Sequence, residues 1–544
     1  MAALFTTPKR NDKTSGAHFA EPDVRRRIAL AHGSWRRVTR RIVAGAVCAL
    51  TASSLLMPSV SLAAEWVDVD GVRHEAAAGP TGDAAGTWSW DGADDMKLNG
   101  YNGGEIKAEG KLNVNYEGNN TVTNDNGCGI SVTKDTNGNA ELNMQGDASS
   151  TLNVTSSSDA IWSEGDINID GAGTVNATST EGDAIDAKGD LTIKGGGKVE
   201  ASTVGEAAIW ADGGITISGG SQVKTSSQED IAVNAEGSLT VTNASLHASG
   251  VDYGAYGRKG VTLDHATVTV RASTGGGWQT IALITDEDDI VIKNGSIVDA
   301  LAEGGFSAAI ASRNYNPGES GGHIYISDSV VKAIARYVES GSDGPDHYSN
   351  DQDDETIPES QGLNIGIFAQ TEEGITPATI SIVRSKVTAE GDTAAIFALA
   401  MSADGEAIGT IEIKDAIIQT PAGGKVIDYR NKEELSDGIV YEAGQTIGTG
   451  DATIDSPYDQ AVAKNVVIAP PEETKPEENP GETKPGSKSE GTKTTKTVAV
   501  AATGAKTTGK LAATGDASGA VIVATALAGT VAIAAGAVES RKRS

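Results

Sequence analysis

A repeat of about 24 residues constrains this chain more than any other feature of its sequence. A fixed period in this range indicates stacked structural units, none of which buries its apolar face alone. The chain is therefore predicted to be a solenoid whose function lies on a long exposed surface. Six apolar-polar-apolar triplets start 25, 24, 24, 24 and 22 residues apart: Leu142-Asn143-Met144, Ile167-Asn168-Ile169, Leu191-Thr192-Ile193, Ile215-Thr216-Ile217, Leu239-Thr240-Val241 and Val261-Thr262-Leu263.

Each repeat contains three short strand-like segments separated by turns. The triplet alternates apolar and polar residues, and a second apolar position such as Val199 follows about eight residues later. A third segment reads Asp183-Ala184-Ile185-Asp186 in one repeat and Ala207-Ala208-Ile209-Trp210 in the next. Three strands and three turns in about 24 residues are typical of one coil of a right-handed parallel β-helix. The predicted fold class is therefore all-β.

Other repeat architectures do not fit the composition. Helical repeats need helix-forming residues and a 3.6-residue period, whereas these repeats are rich in Gly, Thr, Val, Ile and Asn. The predicted β-helix spans residues 106–425, with an N-terminal cap at 65–105 and a C-terminal cap at 426–468. About ten or eleven coils would form a rod on the order of 50 Å long. Irregular spacing in the second half indicates inserted loops, the largest between 338 and 361.

The first 64 residues are predicted to be a signal peptide that is removed from the mature protein. A basic region that includes Arg25 to Arg27 precedes an apolar stretch from Ile42 to Leu56, and small residues follow at Ser61 to Ala64. This order of positive charge, apolar core and small residues is typical of export signals. We therefore expect a secreted protein whose mature chain begins near Ala64 or Glu65.

The C-terminal end carries a second targeting pattern. Residues 469–510 are rich in Pro, Glu, Lys and Thr and are predicted to form a disordered linker. Residues 511–544 combine a short motif, an apolar helix over 517–538 and a basic tail. Because that helix is long enough to span a bilayer, a plain membrane anchor is the alternative interpretation. The motif consists of Leu511, Ala512, Ala513, Thr514 and Gly515.

The C-terminal pattern resembles the sorting signal of Gram-positive surface proteins that sortase links to peptidoglycan. The family motif is Leu-Pro-x-Thr-Gly, and this chain departs from it with Ala512 in place of proline. The resemblance implies cleavage between Thr514 and Gly515 and attachment of Thr514 to the cell wall. Its implied partners are sortase and peptidoglycan. The repeat pattern also resembles the pectate-lyase-like adhesive and carbohydrate-binding β-helices of such proteins, which implies adhesion or glycan binding.

The charge of the chain excludes one class of partner. The sequence holds 74 Asp and Glu residues against 43 Lys and Arg residues, which gives a formal net charge of −31 at pH 7. Affinity for the phosphate backbone needs a basic surface, so nucleic acid is not expected as a partner. Acidic surfaces favour solubility, which suits an exported protein.

The sequence does not predict catalysis. A glycoside hydrolase needs two carboxylates at a set separation, and a calcium-dependent polysaccharide lyase needs clustered aspartates with a basic residue. The polar columns of the regular repeats offer no set that is expected to converge. Residues 318–322 match Gly-x-Ser-x-Gly, but a strand-like segment follows them, whereas a nucleophile elbow needs a helix there. A lyase or hydrolase remains the competing class, and a passive stalk is the third.

One column of the third segment is a candidate glycan-binding site. Apolar residues at equivalent positions, such as Ile161 and Ile185, are predicted to point inward, so the next residue of each coil points outward. Aromatic side chains then recur on alternate coils, about 9.6 Å apart, close to one disaccharide of an extended glycan. The alternative is that these rings pack under loops or at corners. The predicted column contains Trp162, Asp186, Trp210, Asn234 and Tyr256, and Phe368 and Phe397 occupy similar positions farther along.

Two acidic groups are candidate calcium sites, although solvated acidic turns are the alternative in so acidic a chain. The first group is Asp351, Asp353, Asp354 and Glu355, and the second is Asp286 to Asp289. The histidines show no chelating spacing, and no cofactor other than Ca²⁺ is expected. The sequence as a whole predicts an exported, wall-anchored adhesin or glycan-binding protein of a Gram-positive bacterium.

Overall fold

The chain forms a parallel β-helix, as the 24-residue period predicts. A computed structural model describes residues 64–273, 279–305, 307–314, 321–338, 364–371, 378–402, 405–420, 427–429, 452–453, 460–462 and 464–471. Three long sheets contain 14, 14 and 13 strands, and each coil contributes one strand to each of them. The helical content of the described residues is one 3₁₀ turn, Ala76–Ala78.

Each of the three long sheets is formed by one segment of the repeat. Sheet 1 carries the third segment, and its strands are, in spatial order, Val72–Glu75, Trp66–Val69, Ile106–Glu109, Ile130–Thr133, Ile161–Ser163, Ile185–Ala187, Ile209–Ala211, Val233–Ala235, Tyr253–Gly257, Thr280–Thr285, Ser307–Asn314, Asn364–Thr371, Ala394–Ser402 and Gly405–Ile408. Sheet 2 carries the triplets, and its strands are Thr81–Gly82, Trp88–Trp90, Asp95–Asn99, Lys111–Glu117, Glu141–Gly146, Asp166–Gly171, Leu191–Ile193, Ile215–Ser218, Leu239–Thr242, Val261–Asp264, Ile290–Lys293, Ile324–Ser327, Thr379–Val383 and Thr410–Lys414.

Sheet 3 carries the second segment of each repeat. Its strands are Asn102–Gly103, Asn119–Asn124, Thr151–Ser156, Thr174–Ser179, Lys198–Thr203, Gln222–Ser227, Ser245–Gly250, Thr267–Ser273, Ile297–Gly304, Val330–Tyr337, Lys386–Gly391, Asn465–Ala469 and Ile417–Thr420. A separate three-stranded sheet is formed by Ile427–Tyr429, Gln460–Val462 and Ala452–Thr453.

Equivalent residues of successive coils stack in register and form the core. Ile161 pairs with Ile185, Ile185 with Ile209 and Ile209 with Val233, and all four side chains are fully buried. The register that the repeat predicts for these inward positions is therefore confirmed. The triplets of sheet 2 stack in the same way, with Ile193 between Ile169 and Ile217. Burial of these aliphatic columns is the main favourable contribution to folding.

A left-handed backbone turn recurs at the corner that follows the strands of sheet 2. Glycine adopts positive φ without steric cost, as at Gly219, and Asn and Asp are the next best tolerated residues. Arg384 also lies in this conformation, and Asp328 of the preceding coil binds it through two hydrogen bonds of 2.7 and 2.9 Å. The non-glycine residues at this corner have φ angles of 46° to 58° and are Asn243, His265, Asn294, Asp328, Arg384 and Asp415.

Antiparallel strands cover both ends of the helix. At the N-terminal end Trp66–Val69 pairs antiparallel with Ile106–Glu109, and Trp88–Trp90 pairs antiparallel with Asp95–Asn99. Asp95–Asn99 already pairs parallel with Lys111–Glu117, so the first coil begins before the boundary predicted at residue 106. At the other end, Asn465–Ala469 inserts antiparallel between two strands of sheet 3. This strand extends into Ala469, which was predicted to start the linker.

Substitution of one core residue tests the stacked core. We expect Ile193→Asp to lower the free energy of unfolding by about 3 kcal/mol or more, because it buries a carboxylate without a partner. Thr192→Asp is the matched control, since Thr192 is the adjacent, partly exposed residue of the same strand. Chemical unfolding of the full-length variants measures both values. An Ile193→Asp protein as stable as the Thr192→Asp protein would contradict the packing described here.

Candidate functional site

The predicted aromatic column exists as a register column of sheet 1. Trp162 pairs with Asp186, Asp186 with Trp210, Trp210 with Asn234 and Asn234 with Tyr256. Each residue follows an inward-pointing neighbour, so the column lies on the outer face of the sheet. At about 4.8 Å per strand, the two tryptophans are about 9.6 Å apart along the helix.

The exposure of this column differs from the prediction. Trp162 and Trp210 are partly exposed, as a binding surface requires. Asp186, Asn234 and Tyr256 are only 4%, 1% and 7% exposed. The expectation that all five residues present an outer surface is therefore wrong for these three. Asp186 and Asn234 are small side chains between aromatic neighbours about 4.8 Å away on each side, which cover them from solvent.

Tyr256 belongs to a polar network instead of a binding stripe. Its hydroxyl donates to Oδ2 of Asp286 at 3.3 Å, and Asp286 forms an ion pair of 2.8 Å with Arg313. Arg313 is itself 6% exposed and the side chain of Asp286 is 27% exposed, so this charge pair lies at the margin of the protein interior. Burial, followed by the nearby Asp286 carboxylate, raises the pKa of Tyr256. The phenol is thus a structural donor.

The aromatic residues farther along the column are also buried. Phe368 and Phe397 pair in register, and their ring centroids lie 6.4 Å apart with an interplanar angle of 21°. Their side chains are 1% and 5% exposed. This stacked pair stabilises the helix and presents no accessible ring face to a ligand.

The acidic run at 286–289 does not form the predicted calcium site. Asp286 pairs with Arg313, and Glu287 pairs with Arg258 through a hydrogen bond of 2.6 Å. Asp289 accepts the backbone N–H of His323 at 3.1 Å. Arginine side chains already neutralise two of these carboxylates, and no three of the four carboxylates converge on one point. The other predicted group, Asp351, Asp353, Asp354 and Glu355, lies outside the described residues.

A different carboxylate cluster forms beside the tryptophans. One oxygen from each of Asp159, Asp183 and Asp186 lies within 4.8 Å of the others. Asp159 and Asp183 occupy equivalent positions 24 residues apart, and Asp186 follows three residues later on the outer face of sheet 1. The expectation that no carboxylates converge is therefore wrong. The repeated aspartate at a spacing of one coil was the sequence signal that could have revealed it.

Backbone amides of the next coil orient two of these carboxylates. Oδ1 of Asp159 accepts the N–H of Asp183 at 3.0 Å, and Oδ1 of Asp183 accepts the N–H of Ala207 at 2.8 Å. Asp186 is held differently, because its Oδ2 accepts Nζ of Lys188 at 2.8 Å. Its Oδ1 is buried and has no hydrogen-bond partner. The cluster therefore contains a carboxylate oxygen that nothing in the described residues satisfies.

Burial and mutual repulsion disfavour ionisation of the cluster. Burial, followed by the charges of Asp186 and Asp159, raises the pKa of Asp183 well above its ordinary value. Burial also raises the pKa of Asp186 to about 7, although Lys188 opposes this change. Such shifts report the cost of placing like charges in a poorly hydrated site. A divalent cation would remove that cost.

No protein-family model, curated protein or solved structure matches this chain. Among the described residues, no helix is both long and apolar enough to cross a membrane. The predicted sorting motif Leu511 to Gly515 and the apolar helix at 517–538 lie outside the described residues. The signal peptide, apart from Ala64, does so as well.

The network at Tyr256 yields a test of its structural role. We expect Asp286→Asn to lower the free energy of unfolding by about 2–3 kcal/mol, because the buried Arg313 loses a carboxylate partner. Tyr256→Phe should cost about 1 kcal/mol, the usual value of a single hydrogen bond. Asp288→Asn is the control, because Asp288 is the exposed neighbour in the same acidic run. Equal free energies of unfolding for the Asp286→Asn and Asp288→Asn proteins would show that the network does not stabilise the fold.

Proposed function

We propose that the protein is an exported, wall-anchored surface protein that binds a glycan without cleaving it. The observation that carries this proposal is the pair of partly exposed tryptophans, Trp162 and Trp210, in one register column of sheet 1. They lie on a regular, rigid sheet, which holds two ring faces at a fixed separation. The binding surface proposed here consists of these two rings, since Asp186, Asn234 and Tyr256 are buried.

The spacing and the chemistry of the two rings support a polysaccharide ligand. Residues two coils apart are about 9.6 Å apart, which is close to one disaccharide of an extended chain. Aromatic rings offer a rigid, apolar face with a polar handle, and Nε1 of Trp210 donates to Asp212 at 2.8 Å, which fixes the orientation of that ring. A preorganised ring loses little conformational entropy when a ligand binds.

The carboxylate cluster favours a second candidate, a polysaccharide-cleaving enzyme. Carboxyl groups near a substrate groove are the usual catalytic pair of glycoside hydrolases. However, Asp183 and Asp186 are 6% and 4% exposed, and Asp159 and Asp183 already accept backbone N–H groups. A sugar ring needs direct access to a catalytic carboxylate, so we rank binding above cleavage. A passive stalk is the third candidate, and it requires no exposed rings.

The location proposed for the protein rests on the two ends of the chain. The basic and apolar pattern of residues 1–64 supports export, and Leu511 to Gly515 with the following apolar run and basic tail supports sortase anchoring. Sortase and peptidoglycan are the corresponding partners. Covalent attachment would place the β-helix outside the cell, where polysaccharides are available as ligands.

Substitutions of Trp210 test glycan binding. If the ring is a contact, Trp210→Ala should weaken binding to an oligosaccharide identified on a glycan array by about 1–3 kcal/mol while stability changes little. Trp210→Phe should lose less, because it keeps an aromatic face. Tyr325→Ala is the control, since Tyr325 is an exposed aromatic residue on sheet 2. Titration and thermal melting of the full-length proteins supply both quantities.

Two outcomes would oppose the binding proposal. A packed tryptophan would cost roughly 3–5 kcal/mol of stability when replaced by alanine, so a large fall in Tm with unchanged affinity would remove Trp210 from the ligand surface. Release of reducing ends or unsaturated products from the bound glycan, abolished by Asp183→Asn, would favour the enzyme. In that case the carboxylate cluster would be the active site.

Wall attachment has its own test in intact cells. We expect Thr514→Ala to abolish release of the protein by muralytic enzymes, because the acyl group transferred to the wall would come from Thr514. Thr503→Ala is the matched control, since Ala502-Thr503-Gly504 repeats part of the motif without an adjacent apolar run. Cell fractionation followed by immunoblotting measures the result. Protein that remains with the membrane in the wild type would support a plain anchor.

A further inference from the structure

We propose that Asp159, Asp183 and Asp186 bind one Ca²⁺ ion between two successive coils of the β-helix. This inference does not depend on the proposed glycan-binding function. It differs from the calcium sites predicted at 286–289 and 351–355, because its three residues come from two coils and converge only in the folded chain. The geometry of the three carboxylates, an unsatisfied buried oxygen and the local charge support this site.

The geometry of the three oxygens fits a single cation. Because all three lie within 4.8 Å of one another, one point lies about 2.8 Å or less from each of them, close to the contact of about 2.3–2.6 Å between Ca²⁺ and oxygen. Small side-chain adjustments close the remaining gap. Mg²⁺ demands contacts of about 2.0–2.1 Å and near-ideal octahedral geometry. Carboxylates that the fold holds in place suit the flexible coordination of Ca²⁺ better than the strict octahedral geometry of Mg²⁺.

The Oδ1 atom of Asp186 independently indicates a missing ligand. It is buried and has no hydrogen-bond partner, although the residue is only 4% exposed. Lys188 satisfies only the other oxygen, Oδ2. A buried carboxylate oxygen without a partner costs free energy that a bound cation would recover. No backbone amide or side chain among the described residues does so.

The local charge also calls for a cation. Lys188 pairs with Asp186 through a side chain that is 38% exposed, whereas Asp183 lies beside the like charges of Asp186 and Asp159. Asp159 and Asp183 are positioned by backbone N–H groups from the neighbouring coil, so their carboxylates are held together by the fold itself. Preorganised oxygen ligands with a net negative charge raise the affinity of a Ca²⁺ site.

The other acidic cluster of the described residues lacks these features. Asp91, Asp94 and Asp95 also lie within 4.8 Å of one another, but Asp91 and Asp95 are exposed. Oδ1 of Asp91 accepts the backbone N–H groups of Ala93 and Asp95, which is the ordinary arrangement of an aspartate in a turn. No buried oxygen in that turn lacks a partner.

Calcium titration of the full-length protein tests the site. Metal is first removed with a chelator, and CaCl₂ is then added at pH 7.5. Calcium should raise the Tm of the wild-type protein. The wild-type protein should also bind one more Ca²⁺ ion than the Asp186→Asn protein. The Asp186→Asn protein should fold without calcium, because the substitution keeps an acceptor for Lys188 and reduces the repulsion within the cluster. Its Tm should no longer respond to calcium.

Matched variants separate binding from general effects of charge. Asp190→Asn is the control, because Oδ1 of Asp190 accepts the N–H of Gly214 in the next coil at 2.7 Å but the residue lies outside the cluster. It should keep the full calcium response. Lys188→Met should bind calcium at least about threefold more tightly, because it removes a competing positive charge. MgCl₂ at equal concentration should raise Tm less than CaCl₂.

Three results would overturn the proposal. The first is that calcium does not change the Tm of the wild-type protein and releases or absorbs no heat of binding when it is titrated into it. The second is an equal calcium response in the wild-type and Asp186→Asn proteins, which would assign the binding to another acidic group. The third is an equal or larger response to MgCl₂, which would reject the assignment to Ca²⁺.

Discussion

The hydrogen-bonded pairing of each strand with the same strand of the next coil is the constraint on which the structure depends. It stacks equivalent residues about 4.8 Å apart. The side chain at each repeat position must therefore pack against the equivalent side chains of the two adjacent coils. Ile161, Ile185 and Ile209 form a dry column because all three are branched aliphatic residues of similar volume. A side chain of different size or polarity at one of these positions would be buried in the same column.

The same stacking allows aspartate side chains at the corners to accept hydrogen bonds from backbone N–H groups of the next coil. Asp166 accepts the N–H of Asp190, and Asp190 accepts that of Gly214, each from one coil to the next. Asp159 and Asp183 repeat this arrangement at another corner. A repeat that uses aspartate to satisfy amides at successive coils necessarily brings carboxylates close together. Solvent screens that repulsion at the exposed residues Asp166 and Asp190, but not at Asp183.

The period and alternation of the sequence were sufficient to predict the fold and the register of the outer column, but not its exposure. Periodicity states which residues share a face, and Trp162, Asp186 and Trp210 do share one. Exposure depends on contacts between residues far apart in sequence. Tyr256 is buried because Asp286 and Arg313, which lie 30 and 57 positions away, meet its hydroxyl and each other.

The carboxylate cluster shows the complementary limit of sequence reasoning. Asp159 and Asp183 are visible as a spacing of 24 residues, but the approach of Asp186 to both of them depends on how the two coils stack in the folded chain. Asp186 belongs to both features, because it lies between Trp162 and Trp210 in the column and also contributes to the cluster. The rings of Trp162 and Trp210 are partly exposed, whereas Asp183 and Asp186 are only 6% and 4% exposed. Residue type alone therefore does not tell which side chains of the column a ligand can reach, whereas the exposure of each side chain does.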